Sequence, residues 1–190
     1  MLFHEGLVLW RARSLVWVLT RREVAARHAG TAAGVLWPYF QPLLTVAAYY
    51  LVFDVVFSMR LGAGAPTHAV GTFLVVGALP WMAFCDAIGR GMNSLVDAGS
   101  LRQKNALPPV LIAARAVLAS TVIYGPLMLL VALVYAPLHH FNGAVLSVLA
   151  LLCIQLALCL LMGYLLAIFT AALRDTAQLV GFLLSMGIYL

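Results

Sequence analysis

The sequence predicts an all-α fold, a polytopic helical membrane protein, on three observations. Residues Ala116 to Leu173 contain no Asp, Glu, Lys or Arg, and two further charge-free stretches cover 28–53 and 61–85. Only 9% of residues are charged and 65% are hydrophobic, whereas water-soluble domains carry about 25% charged residues. The basic residues gather in alternate segments between the apolar runs. A hydrocarbon layer ~30 Å thick takes about 20 residues of helix rising ~1.5 Å each. The run from Ala116 to Leu173 therefore holds two crossings.

The first element is an interfacial segment, residues 1–28, ahead of a transmembrane domain over 29–190. Leu7 to Leu19 is apolar but carries Arg11 and Arg13, and an Arg at a helix centre costs about 2.5–3.5 kcal/mol to insert. Trp10 and Trp17 suit the membrane–water boundary, where arginines can snorkel to head groups. Arg11 and Arg13 fall ~200° apart at ~100° per residue, so a single regular helix is poorly amphipathic here. Thr20-Arg21-Arg22-Glu23 has capping-box spacing, which predicts a second helix starting at Thr20 with Glu23 pairing to Arg27. Arg21, Arg22 and Arg27 are the expected contacts to head-group phosphates.

Four crossings follow, near 34–57, 69–92, 109–136 and 144–172, with a fifth beginning near 176. Gly62, Gly64 and Pro66, then Pro108 and Pro109, then Pro137, Asn142 and Gly143 mark the breaks, as helix-punctuating residues do. Ser100-Leu101-Arg102-Gln103 repeats the capping pattern in the loop at 93–108, closed by Pro108. After Asp175 only about 22 Å of helix at ~1.5 Å per residue remains, so the chain is expected to stop inside a membrane helix, as a truncated protein or partial gene product would, the alternative being a segment that ends in a re-entrant turn.

Charge orients the crossings. Arg11, Arg13, Arg21, Arg22 and Arg27 precede the first, and Arg90, Arg102, Lys104 and Arg115 surround the second connection. Arg60 alone serves the loop before it, and 137–143 has no Lys or Arg. Positive segments stay cytoplasmic, giving in, out, in, out, in. The formal net charge of +5 thus reports topology and requires no nucleic acid.

Candidate chemistry is sparse. Cys85, Cys153 and Cys159 lie in apolar runs and imply neither disulfide nor zinc. His139, His140 and Asn142 share an outside loop without further ligands. There are no paired carboxylates on one face, no His-Glu zinc pattern and no nucleophile set, which argues against an intramembrane enzyme. Asp86 and Arg90 are four apart and are expected to pair near the cytoplasmic end of the second crossing. Asp54 lies near the outer boundary and Arg115 near the inner one. Gly30 and Gly34 suggest a small-residue face for close helix approach.

Four motifs then fall in order. Arg27-His28-Ala29-Gly30-Thr31-Ala32-Ala33-Gly34-Val35-Leu36-Trp37-Pro38 with Gln41-Pro42-Leu43 comes first. Gly77-Ala78-Leu79-Pro80-Trp81 follows, then Asn93-Ser94-Leu95-Val96 through Lys104 and Leu107-Pro108, and last Arg174-Asp175. Together they resemble the ABC-2 type permeases that export polysaccharides and polyol phosphates. His28, Thr31 and Ala33 depart from the usual Tyr, Ser and Leu.

The resemblance covers essentially the whole chain, lacks the family's C-terminal third, and implies a type V exporter-like transmembrane fold in a homodimer in the bacterial inner membrane, N-terminus cytoplasmic. It implies separate nucleotide-binding subunits that use ATP and Mg; no phosphate loop occurs in this chain and Lys104 is its only lysine. No cofactor is expected on the chain itself. The loop at 94–105 would dock on the ATPase through Ser94, Leu95, Leu101, Arg102 and Lys104. The cargo would be a lipid-linked polysaccharide such as O-antigen, capsule or teichoic acid, the alternative being drug or small-lipid efflux. Tyr49, Tyr50, Trp81 and Phe84 are candidates for an aromatic conduit in which sugar C–H faces stack on rings. Interfacial anchoring and helix packing remain open for each of them.

Overall fold

A computed structural model describes residues 2–27, 30, 34–58, 70–99, 107–138 and 144–187, and every element among them is helical. Two short helices, α1 (Leu2–Arg11) and α2 (Arg13–Ala26), come first, separated by a kink at Ala12. A turn of 3-10 helix (Gly34–Leu36) leads into α3 (Trp37–Tyr50), which continues as a π-helical segment, Leu51–Val56. Then come α4 (Val70–Asp97), α5 (Pro109–Leu138), α6 (Ala144–Ala172) and α7 (Asp175–Met186). Four of these segments are long and apolar enough to cross a membrane: Trp37–Val56, Phe73–Asp97, Pro109–Val134 and Leu146–Ala172. The expected crossings match them within a few residues, apart from α4, which runs on to Asp97.

The helix ends follow from local chemistry. Pro38 sits in the first turn of α3, where a missing N–H costs nothing. Pro42 removes the N–H that would have reached the Pro38 carbonyl, yet it is fully buried and the helix continues. Beyond Tyr50 the ladder slips to a five-residue step, with the Phe57 N–H donating to Val52 O at 3.0 Å. It ends at Ser58, whose φ is +48°.

Two sequence expectations change here. Gly30 and Gly34 have φ of +88° and +51°, a region that favours glycine. They therefore break the chain between α2 and α3 and form no packing face. Thr20 starts no helix: it is fully buried in the middle of α2 and its hydroxyl donates to Val16 O at 2.8 Å. The apolar residues before Thr20 are helical already because Val16 packs against Val110 and Leu111 of α5.

The core is the bundle of α4, α5 and α6, filled in three layers. Leu95, Ala98, Ile112, Ala113 and Ala167 close one end. Ala87, Ile88, Val117 and Cys159 fill the middle. Leu79, Ala83, Leu127 and Met128 close the other end, where Tyr39 and Val46 bring α3 against the bundle. Lipid is as apolar as leucine, so close contact holds such helices together rather than a hydrophobic drive. A Cβ on Gly91 would lie 3.0 Å from Gly163 Cα and 3.1 Å from Val117 Cγ2. Bare glycines thus let α4 and α6 touch directly, with Val117 of α5 packed beside both. Leu146, Leu151 and Ile154 of α6 are more than 60% exposed, which suits lipid.

Candidate functional site: a buried charge hub and the conduit aromatics

Charged side chains inside a membrane bundle are costly and pair or face water, so the described ion pairs locate the place of interest. α2 ends at Arg27, whose N–H caps the helix on Glu23 O at 3.2 Å. Its guanidinium turns inward and is only 4% exposed. Nη1 lies 3.2 Å from Asp86 Oδ2 on α4. Nη2 donates to Ser120 Oγ at 3.2 Å and Ala116 O at 3.4 Å, both on α5. The Ser120 hydroxyl in turn donates to Asp86 Oδ2, while Arg90 Nε donates to Asp86 Oδ1 at 2.7 Å. One carboxylate thus serves two guanidiniums. Burial pulls the Arg27 pKa below its ordinary value and Asp86 opposes that pull; an arginine nonetheless stays charged.

A second pair lies close by, with Arg115 Nε of α5 3.9 Å from Glu23 Oε2 of α2. The two pairs tie the end of the interfacial helix, α2, to α4 and α5 through charge and hydrogen bonds. The arrangement is a clamp.

The Asp86–Arg90 pairing is as the sequence predicts. The expected Glu23–Arg27 pair is not formed, because Asp86 and Ser120 offer Arg27 better-placed acceptors and Glu23 faces Arg115. Arg27 is likewise no head-group contact, while Arg21 and Arg22 are exposed. Ser120, the residue that sequence reasoning missed, was visible only as one hydroxyl inside an apolar run. Gln155 was missed too: its amide donates to the Pro80 carbonyl at 2.9 Å. It also lines a cavity of about 20 Å³ with Ser120, Thr121 and Tyr124, room for about one water.

Other predicted residues are scattered. Ser94 and Leu95 are 4% and 5% exposed; Ser94 Oγ donates to Gly91 O at 2.7 Å and Leu95 belongs to the end layer of the core with Ala98 and Ile112. They root the end of α4 and present nothing outward. Leu101, Arg102 and Lys104 lie outside the described residues, as do His139, His140, Asn142 and the Ser100 capping pattern. Tyr49 meets Phe53 with ring centroids 6.5 Å apart, and Tyr50 is 49% exposed. Trp81 and Phe84 contact each other at 5.6 Å. The Trp81 ring also rests so closely on Gly187 that no side chain would fit there. Among the described residues, no ring contact joins the α3 aromatics to those of α4. Asp54 accepts from the Gly71 N–H at 2.7 Å, tying the π-helical segment to the start of α4.

Comparison with known proteins adds the family. The model of the ABC-2 type transporter family matches residues 14–190. An O-antigen export system permease protein, RfbA, of Myxococcus xanthus is 30% identical over 181 residues, covering 94% of this chain and 66% of that protein. Two proteins of the same name from Klebsiella pneumoniae are 27% and 26% identical over 94 residues, covering 50% of this chain and 34% of each. The chain therefore spans just under two thirds of the length of the first of these relatives.

Proposed function

Because the chain belongs to the ABC-2 type transporter family, we propose that it is the transmembrane permease of an ATP-driven exporter that carries a lipid-linked polysaccharide across the bacterial inner membrane. The carrying observation is the 30% identity to an O-antigen export permease across 94% of this chain. With no phosphate loop in the sequence, ATP and Mg are handled by a separate ATPase subunit, and the permease works as a homodimer with its N-terminus in the cytoplasm.

In this reading the connection between α4 and α5 is the docking element. Leu101 supplies an apolar anchor and Arg102 and Lys104 polar contacts, while Ser94 and Leu95 hold its root in the bundle. A push on that connection moves α4 and α5 together. It reaches α2 through Arg27, because Asp86 and Ser120 are its partners on those two helices. Tyr49, Tyr50, Trp81 and Phe84 offer stacking surfaces to sugar rings.

The test is co-purification of the permease with an ATPase subunit, together with deletion of the gene. Lipid-linked glycan accumulating inside the cell supports the proposal; unaltered glycan export overturns it. Leu101→Asp is expected to abolish ATPase association, and unchanged association would remove the docking assignment. Glycan export unaffected by replacing Tyr49, Tyr50 and Trp81 together with Ala would remove the conduit.

A further inference from the structure

The outward face of α1 and α2 has a composition that neither water nor hydrocarbon alone satisfies. Trp10 is 69% exposed, Trp17 59%, Leu7 56% and Val18 47%. Interleaved with them, Arg11, Arg13, Arg21 and Arg22 are all exposed. The Arg13 guanidinium lies 5.3 Å from the centre of the Trp10 ring, a cation–π contact. Both acidic residues of these helices are turned inward: Glu5 accepts from the Tyr164 hydroxyl at 3.4 Å, and Glu23 faces Arg115. The outward face is therefore basic and aromatic with no carboxylate to neutralise it.

Its level in the membrane is set by α5. That helix has 30 residues, ~45 Å at ~1.5 Å each and so ~15 Å more than the hydrocarbon layer. Its one charged residue, Arg115, marks the boundary. Val16 of α2 packs on Val110 and Leu111, on the head-group side of Arg115. The exposed arginines consequently stand in the layer where lipid phosphates lie.

We propose that this face binds anionic phospholipid head groups, with Arg11, Arg13, Arg21 and Arg22 as the phosphate contacts and Trp10 and Trp17 seated in the interface. The end of α2 runs down beside α5 into the bundle, so Arg27 takes no part, being committed to Asp86. The apparent mismatch of Arg11 and Arg13 is removed by the kink at Ala12, whose φ and ψ of −95° and 16° end one helix before the next begins.

The experiment uses the purified permease in nanodiscs of phosphatidylcholine with or without phosphatidylglycerol. With Trp37 and Trp81 replaced by Phe, brominated forms of each lipid report by fluorescence quenching which one lies against Trp10 and Trp17. Brominated phosphatidylglycerol is expected to quench more than its share, with the excess falling as salt is raised. Replacing the four arginines with Gln should reduce the preference at least about fivefold, the worth of a single arginine near an anionic surface. Replacing them with Lys should retain it. Should the fourfold Gln variant fail to fold, Arg21→Gln with Arg22→Gln serves, since both side chains are exposed.

Equal quenching by the two lipids overturns the proposal. So does a Gln variant that keeps its lipid preference but loses its ATPase partner, which would make the face a protein interface. The readout involves no glycan, so the transport reading stands or falls separately.

Discussion

Asp86 is the residue on which most depends, because two guanidiniums share it. Asp86→Asn is expected to leave Arg27 buried without a counter-charge and to cost about 3–5 kcal/mol, as breaking one side of a buried pair does. The check is the midpoint of thermal unfolding in detergent, read by loss of the monodisperse peak. Arg90→Gln should cost no more than about 1 kcal/mol, since that side chain is 42% exposed and exposed pairs are worth little. Equal losses from the two variants would contradict the geometry. Joint replacement of Arg27 and Asp86 by apolar residues of similar size should recover much of the loss, because desolvation offsets most of what such a pair contributes. Half of the hub was legible in the chain: Asp86 and Arg90 stand one helical turn apart. Arg27, 59 positions from Asp86, was not, since nothing local distinguishes it from Arg21 or Arg22.

At the scale of elements, packing and not propensity decides how close the helices come. Gly91→Val should drive a side chain into Gly163 and Val117 and cost about 1–3 kcal/mol, as overpacking does. Gly77→Ala on the same helix should be tolerated, because its Cβ would meet nothing within 4 Å. Comparing the two by thermal unfolding tests the contact of α4 with α6. Asp54→Ala should remove the acceptor for the Gly71 N–H near the start of α4, a loss of about 1 kcal/mol by analogy with helix caps. Helix limits were readable because Pro and Gly stand at them. Thr20 misled because a capping pattern is a local signal, and the contact of Val16 with α5 overrode it.

For the molecule as a whole, orientation is the testable property. If the proposed orientation holds, a cysteine introduced at Arg102 in a cysteine-free background should react with an impermeant maleimide only after the inner membrane is opened. Labelling in intact spheroplasts would place the loop outside and break any link to an ATPase. The charge hub lies beside the middle layer of the bundle, on the same helix that leads into the proposed docking loop. Asp86 is ~16 Å up α4 from Asp97 at ~1.5 Å per residue, close enough for a rigid helix to carry motion between them.

The chain by itself determined that four segments are long and apolar enough to cross a membrane, most of their limits to within a few residues, and which family it belongs to. Those properties depend on apolar length, on Pro and Gly breaks and on short motifs, all of which are local. Only the tertiary structure decided that Arg27 is a buried clamp and not a lipid contact, that Glu23 faces Arg115, and that Gly91 and Gly163 meet. It likewise decided that the outward face of α1 and α2 is left with arginines and no acid. Each of these joins residues far apart in sequence, and the choice among several chemically equivalent partners is made by distance and burial, which exist only once the helices have packed.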